Sequence, residues 1–220
     1  MARAEKVFGL LFIYLPLAVV VANSFNSSKV FSWPPRKLTF EWWGRALENE
    51  GVRSALLTSI QAGASATVIA LLLGTALAFA LVRYDFLGRA AINFLVVLPI
   101  SLPGIVTGIA LNSSFSTVLA PLGINLGLFT VVVGHATFCI VVVYNNVLAR
   151  LRRLGSSFEE ASSDLGANAF QAFRYVTFPL IRSSLIAGGL LAFALSFDEI
   201  VVTTFTAGPA SQTLPLWIFN

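Results

Sequence analysis

Five long apolar runs constrain this chain more than any other feature: residues 7–21, 55–82, 90–111, 126–148 and 180–200. The hydrocarbon core of a bilayer is about 30 Å thick, and a helix of about 20 apolar residues crosses it. Inside lipid every backbone N–H and C=O has to be paired within the chain, so such runs fold as helices. The remaining inventory agrees. Hydrophobic residues make up 57% of the chain and charged ones 11%, against about 25% charged in a soluble domain, so a water-exposed surface cannot be built from it. The expectation is an all-α, polytopic transmembrane bundle in which residues 1–220 form one domain with five crossings.

The first run follows Arg3 and Lys6, as a signal peptide's apolar stretch would. Ala22-Asn23-Ser24-Phe25 is a poor cleavage site, and the rest of the chain is itself membrane-spanning, so the run reads as the first helix. The second carries Gly63, Ala64, Ala66, Ala70, Gly74, Ala76, Ala78 and Ala80; small residues let helices approach closely, which points to the interior of the bundle. Pro99 and Pro103 fall in the third run. Each removes a helical hydrogen bond, which leaves two readings, a kinked helix or a broken one whose freed carbonyls face protein or a wet cavity.

The net charge of +4 does not point to nucleic acid, because the basic residues sit at the edges of apolar runs and not in a patch interleaved with aromatics. Arg3, Lys6, Arg83, Arg89, Arg150, Arg152, Arg153, Arg174 and Arg182 fall on one side of the alternating topology; Lys29, Arg36, Lys37, Arg45 and Arg53 fall on the other, in one loop with Glu41, Glu48 and Glu50. The positive-inside rule places the amino terminus and the segment 150–182 in the cytoplasm. Five crossings then leave Asn220 outside, after the short apolar stretch 214–219. Trp33, Trp42, Trp43 and Trp217 fall near the expected interfaces, as an aromatic belt does.

Residues 150–179, between the fourth and fifth runs, are too many for a turn. Ser156 with Glu159, or Ser157 with Glu160, would form a capping box; Gly166 would end the short helix in a left-handed conformation, and Asn168 would cap a second carrying Phe170 and Phe173 on one face. Two short amphipathic helices joined at a glycine can project to a cytosolic partner or lie on the membrane surface.

The segment Glu160-Ala161-Ser162, three residues, Gly166, nine residues, Val176-Thr177-Phe178-Pro179 resembles the signature of the binding-protein-dependent permeases of bacterial ABC importers: Glu-Ala-Ala, three residues, Gly, nine residues, Ile-x-Leu-Pro. Ser162, Val176 and Phe178 depart from it and leave the spacing intact. The resemblance implies a coupling helix that docks in the ATP-binding subunit, with Glu160, Ala161, Ser162, Gly166 and Pro179 in the coupling role. It further implies an ATPase dimer, a second permease subunit, a solute-binding protein, and a place in the bacterial inner membrane. No lysine follows a glycine as a phosphate-binding loop requires, so ATP and Mg belong to the partner and the chain itself holds no cofactor.

Within that family, Leu98-Pro99-Ile-Ser-Leu-Pro103-Gly-Ile-Val-Thr-Gly108 and the stretch from Ser196 through Asp198 and Glu199 to Gly208-Pro209 are similar to the PotC-type spermidine/putrescine permeases. Permeases for iron, sulfate, molybdate and phosphonates share parts of these patterns. In the resembling family an outer loop and a sixth helix follow, so a bundle one helix short, with a groove beside the fifth span, is expected. Asp198 and Glu199 lie between apolar stretches, where carboxylates face a cavity or a cationic partner, and a polyamine cargo would be such a partner. His135 is the only histidine and reads as an interhelical hydrogen bonder; Cys139, within an apolar run, reads as a small core residue. An intramembrane serine protease lacks its Gly-x-Ser-x-Gly here, and a channel has no use for the segment 150–179.

Overall fold

The structure is a computed structural model that describes residues 2–28, 30, 33–35 and 37–220, with the side chains of 2–4, 6 and 7 outside that description. The contributions of Arg3, Lys6, Lys29 and Arg36 to the charge count therefore lie outside the described residues. The chain divides into two compact units, Met1–Arg53 and Ser54–Asn220.

In the first unit α1 runs over Ala2–Ser24 and contains Pro16. Its described apolar part, Phe8–Ser24, is a little short of the roughly 20 residues a crossing needs. The chain then doubles back: Asn26 and Leu38 pair as an antiparallel bridge, and the Trp42 indole of α2 (Glu41–Glu48) donates to the Asn26 carbonyl at 3.0 Å. Phe25 packs edge-on against Phe40 and stacks on Trp43.

The second unit is all-helical. It comprises α3 (Glu50–Arg83, most of whose length lies here), α4 (Arg89–Ser101), α5 (Gly104–Val118), α6 (Leu128–Leu154), α7 (Ser157–Asp164), α8 (Ala169–Ala172), α9 (Phe178–Asp198), α10 (Val201–Thr206) and α11 (Leu214–Phe219). Four stretches are long and apolar enough to cross a membrane: Glu50–Arg83, Gly104–Leu122, Leu128–Leu154 and Ala169–Asp198. The architecture is an all-α polytopic bundle.

Of the two readings open for Pro99 and Pro103 the structure takes the broken helix, and a second expectation changes. The run 90–111 is not one helix: Pro103 has no N–H to donate and forces Leu102 into an extended conformation (φ −84°, ψ 145°), so α4 ends and α5 starts afresh, while Pro99 stays inside α4. The interior position belongs to α6 and not to α3. In the most apolar window of α6, 61% is buried, against 28% for α3. The small residues of α3 form one stripe, Ala66, Ala70, Gly74 and Ala78, that lies on α6, while Leu72 and Leu73 on its other face are exposed.

The closeness of α3 and α6 is measurable at Gly74, where a Cβ would stand 2.8 Å from the Ile140 carbonyl oxygen. A Cβ on Gly188 of α9 would likewise stand 3.3 Å from Val143 Cα of α6. Small residues on both neighbours and Val143, Tyr144, Val147 and Leu151 on α6 thus make the core. Cys139 is fully buried there, its thiol 3.4 Å from the Ala192 carbonyl. The Tyr144 hydroxyl donates to Asn93 Oδ1 and ties α4 to α6. An apolar groove of about 1030 Å³, lined by Leu71, Phe79, Leu185, Gly189 and Phe193 among others, runs between α3 and α9, beside the fifth run.

Candidate functional site

Two interrupted helices meet in the membrane unit. The α4–α5 break lies at Leu102-Pro103, and the α9–α10 break lies at Glu199, whose backbone is extended (φ −72°, ψ 117°). Glycines allow α5 and α10 to approach: a Cβ on Gly104 would touch Val201 at 3.4 Å, and one on Gly108 would stand 2.5 Å from the Phe205 ring. Asn112 Nδ2 donates to the Phe205 carbonyl at 2.7 Å, satisfying an acceptor at the end of the short α10.

His135, fully buried on α6, spans the α9–α10 break. Its Nδ1 lies 2.7 Å from Ser196 Oγ in the last turn of α9, and its Nε2 lies 2.8 Å from Thr203 Oγ1 in α10. The Thr203 hydroxyl proton goes to the Glu199 carbonyl at 2.7 Å, which leaves that oxygen to accept from the ring. In the neutral imidazole the proton therefore sits on Nε2, and Nδ1 accepts from Ser196. The sequence expectation of an interhelical hydrogen bonder holds, with both partners now named.

The two carboxylates part company. Asp198 ends α9 and is exposed; Glu199 is half-buried, and its Oε1 accepts from the Val202 N–H at 2.8 Å. Glu199 lines a cavity of about 220 Å³ with Pro99, Leu102, Gly104, Thr107 and Phe138, against the α4–α5 break. Neither carboxylate is ion-paired to an Arg or Lys among the described residues. The buried Thr107 hydroxyl has no partner among the described residues, so the cavity carries an orphan hydroxyl and one carboxylate in an otherwise apolar lining.

At the other end of these helices, α7 ends as the glycine spacing requires. Gly166 has φ +87°, its N–H reaches the Ser163 carbonyl at 2.9 Å, and the Ala167 N–H reaches the Ser162 carbonyl at 3.0 Å, the paired bonds of a Schellman motif. Asn168 and Gln171 exchange reciprocal capping bonds of 2.9 and 3.0 Å at the start of α8. The capping box expected at Ser156 or Ser157 does not form, because no side chain caps α7 and Glu159 is used elsewhere. Its Oε1 accepts from Arg83 Nη2 at 2.9 Å and from the Thr177 hydroxyl at 2.8 Å.

Glu160, Ala161 and Gly166 are exposed, Ser162 is half-buried with its hydroxyl on the Glu159 carbonyl at 2.8 Å, and Pro179 is exposed in the first turn of α9. A five-residue π turn, Phe173–Thr177, leads into that helix; such turns accompany functional sites. Phe158, Leu165, Phe170 and Tyr175 are exposed along the same segment, an apolar surface suited to a protein partner. Sequence reasoning gave Glu159 only a capping role and quoted Thr177 only within the motif, and it missed the contact that joins both to Arg83. Arg83 entered only the charge count, and nothing local links it to residues 76 or 94 positions away.

Residues 70–220, which contain both helix breaks and the α7–α8 segment, match the family described as "Binding-protein-dependent transport system inner membrane component". The chain belongs to that family. It is 36% identical over 219 residues to the putrescine transport system permease protein PotI of Escherichia coli K12, covering 96% of this chain and 76% of that one. It is 32% identical over 210 residues to the spermidine/putrescine transport system permease protein PotC of Haemophilus influenzae, covering 95% and 79%. The fold is also similar, with a TM-score of 0.67 at 20% identity, to a solved bacterial ABC transporter involved in importing the acidic polysaccharide alginate, over 100% of this chain and 80% of that one. As an inner membrane component of this family, the chain is a membrane-spanning permease subunit of an ABC importer, a transport subunit and not an enzyme, and it works within a multi-subunit system.

Proposed function

We propose that this permease conducts a polyamine, putrescine or spermidine, through a path beside Asp198 and Glu199. The observation that carries the reading is the Glu199 carboxylate, which has no ion-pair partner among the described residues and lines a cavity where two helices are interrupted together. A half-buried carboxylate at membrane depth without a protein cation beside it is costly and calls for a cation from outside, and polyamines are chains of ammonium groups. PotI and PotC, the permeases it is similar to, are named for such cargo. An anionic solute such as sulfate, molybdate or phosphonate would meet repulsion at this position.

In the same reading a solute-binding protein delivers the cargo on the outer side, a second permease subunit completes the path, and a partner ATPase dimer binds ATP and Mg and grips the segment 150–179. The amino terminus and this segment face the cytoplasm, and residues 1–220 act as one permease domain. Glu160, Ala161, Ser162, Gly166 and Pro179 form or shape the docking surface, supported by the exposure of α7 and its apolar neighbours.

Two expected outcomes test this. Asp198→Asn with Glu199→Gln lowers polyamine uptake by roughly tenfold or more in assembled transporter, since hydrogen bonds to a charged group contribute about 1.5–3 kcal/mol; unchanged uptake would return both residues to a structural role. Gly166→Pro cannot keep φ +87° and Glu160→Lys inverts an exposed charge, so each separates ATP hydrolysis from uptake while the membrane helices stay folded. Normal uptake and solute-stimulated hydrolysis in both variants would remove the coupling role.

A further inference from the structure

The short α7 helix has no buried residue, and glycines with positive φ bracket it: Gly155 (φ +66°) before it and Gly166 (φ +87°) after it. A helix so placed would swing on its two ends unless something else held it, because few buried contacts and permissive backbone at both ends give little resistance. Glu159 supplies the hold. Its Oε1 accepts from Arg83 Nη2 at 2.9 Å and from Thr177 Oγ1 at 2.8 Å, and the same Arg83 nitrogen donates to the Gly155 carbonyl at 2.8 Å. Arg83 is the last residue of α3, Gly155 follows α6, and Thr177 lies in the π turn that feeds α9.

The carboxylate therefore joins α7 directly to the end of α3 and to the turn into α9, and through Arg83 to the residue that follows α6. The Arg83 and Glu159 side chains are 17% and 26% exposed, whereas the other two ion pairs among the described residues are more exposed i,i+4 contacts. Thr177 is 3% exposed. Charge-assisted bonds shielded from water to this degree are stronger and more directional than surface pairs.

We propose that Glu159 is the transmission joint of the permease, a positioning residue that makes α7 move as one body with the cytoplasmic ends of α3, α6 and α9. This rests on the reading of α7 as the element gripped by the ATPase. Without the joint, displacement of α7 is absorbed at Gly155 and Gly166 and does not reach α9, which carries the break at Glu199. Glu160, one position along, is exposed and takes no part in this joint.

The test uses the complete transporter in proteoliposomes and reads solute imported per ATP hydrolysed. Glu159→Ala is expected to keep the ATPase bound and its basal hydrolysis near normal, while import per ATP falls roughly tenfold, within the usual range of a coupling effect. Arg83→Glu alone is expected to do the same, and the exchanged pair Arg83→Glu with Glu159→Arg to recover most of the loss. Recovery also shows that the single variants were folded. Gly166→Pro runs alongside as the arm for the parent reading. If Gly166→Pro uncouples the transporter and Glu159→Ala does not, the joint is refuted while the docking role of α7 stands; if neither uncouples it, both fail. Additive losses in the exchanged pair would also overturn the joint.

Discussion

Gly208→Ala is expected to leave little correctly assembled protein in the membrane. A Cβ at this position would stand 2.1 Å from the Leu126 carbonyl oxygen, 2.8 Å from its carbon and 3.3 Å from the Gly127 nitrogen. All three are backbone atoms, so no side chain can rotate away, and the segment after α10 has to lift off the start of α6. That junction also holds the Thr130 hydroxyl 2.7 Å from the Thr206 carbonyl, a buried contact that lifting would open. Overpacking usually costs about 1–3 kcal/mol, and a backbone-on-backbone clash belongs at or above the upper end. Thermal unfolding in detergent, with yield from membranes, measures it. Gly44→Ala, inside α2 with nothing within 4 Å, is the control and should not destabilise, since alanine is the better helix former. An unfolding temperature for Gly208→Ala equal to the parent's would show that this junction is looser than described.

His135→Leu should also destabilise the bundle, by about 1–3 kcal/mol, since it strips partners from two buried hydroxyls at once. Bonds between membrane helices average about 0.6 kcal/mol and reach about 1.7, so two of them with their desolvated remnants account for that range. The more discriminating measurement is a double-mutant cycle. Ser196→Ala should cost less in the His135→Leu background than alone, because the hydroxyl has already lost its acceptor; strictly additive costs would mean that the two residues share no network. A comparable cycle with Thr203→Val includes the bond to the Glu199 carbonyl, and so reports on the backbone at the α9–α10 break.

Much of the molecule was legible because its causes are local. Runs of apolar length demanded helices, Pro103 permitted a break and the structure makes one there, and Gly166 and Asn168 end and begin their helices with the bonds that their residue types favour. The capping box at Ser156 failed for a non-local reason. Glu159 has the right spacing to cap α7, but an arginine 76 positions earlier and a threonine 18 positions later compete for the same carboxylate and win.

The sequence by itself determined the all-helical membrane class, the place of the α7–α8 segment and the residues able to break a helix. Tertiary structure decided which member of each adjacent pair does the work: Glu159 and not Glu160 joins the membrane helices, and Glu199 and not Asp198 lines the cavity. It likewise made α6 the interior helix and gave His135 its partners on both sides of a break. The physical reason is rotational. Successive residues of a helix such as Glu159 and Glu160 point about 100° apart, and at Glu199 the chain leaves the helix that Asp198 ends, so neighbours in sequence face different surroundings. Which surroundings they meet depends on how the helix is rolled against others, and that follows from packing between segments far apart in the chain.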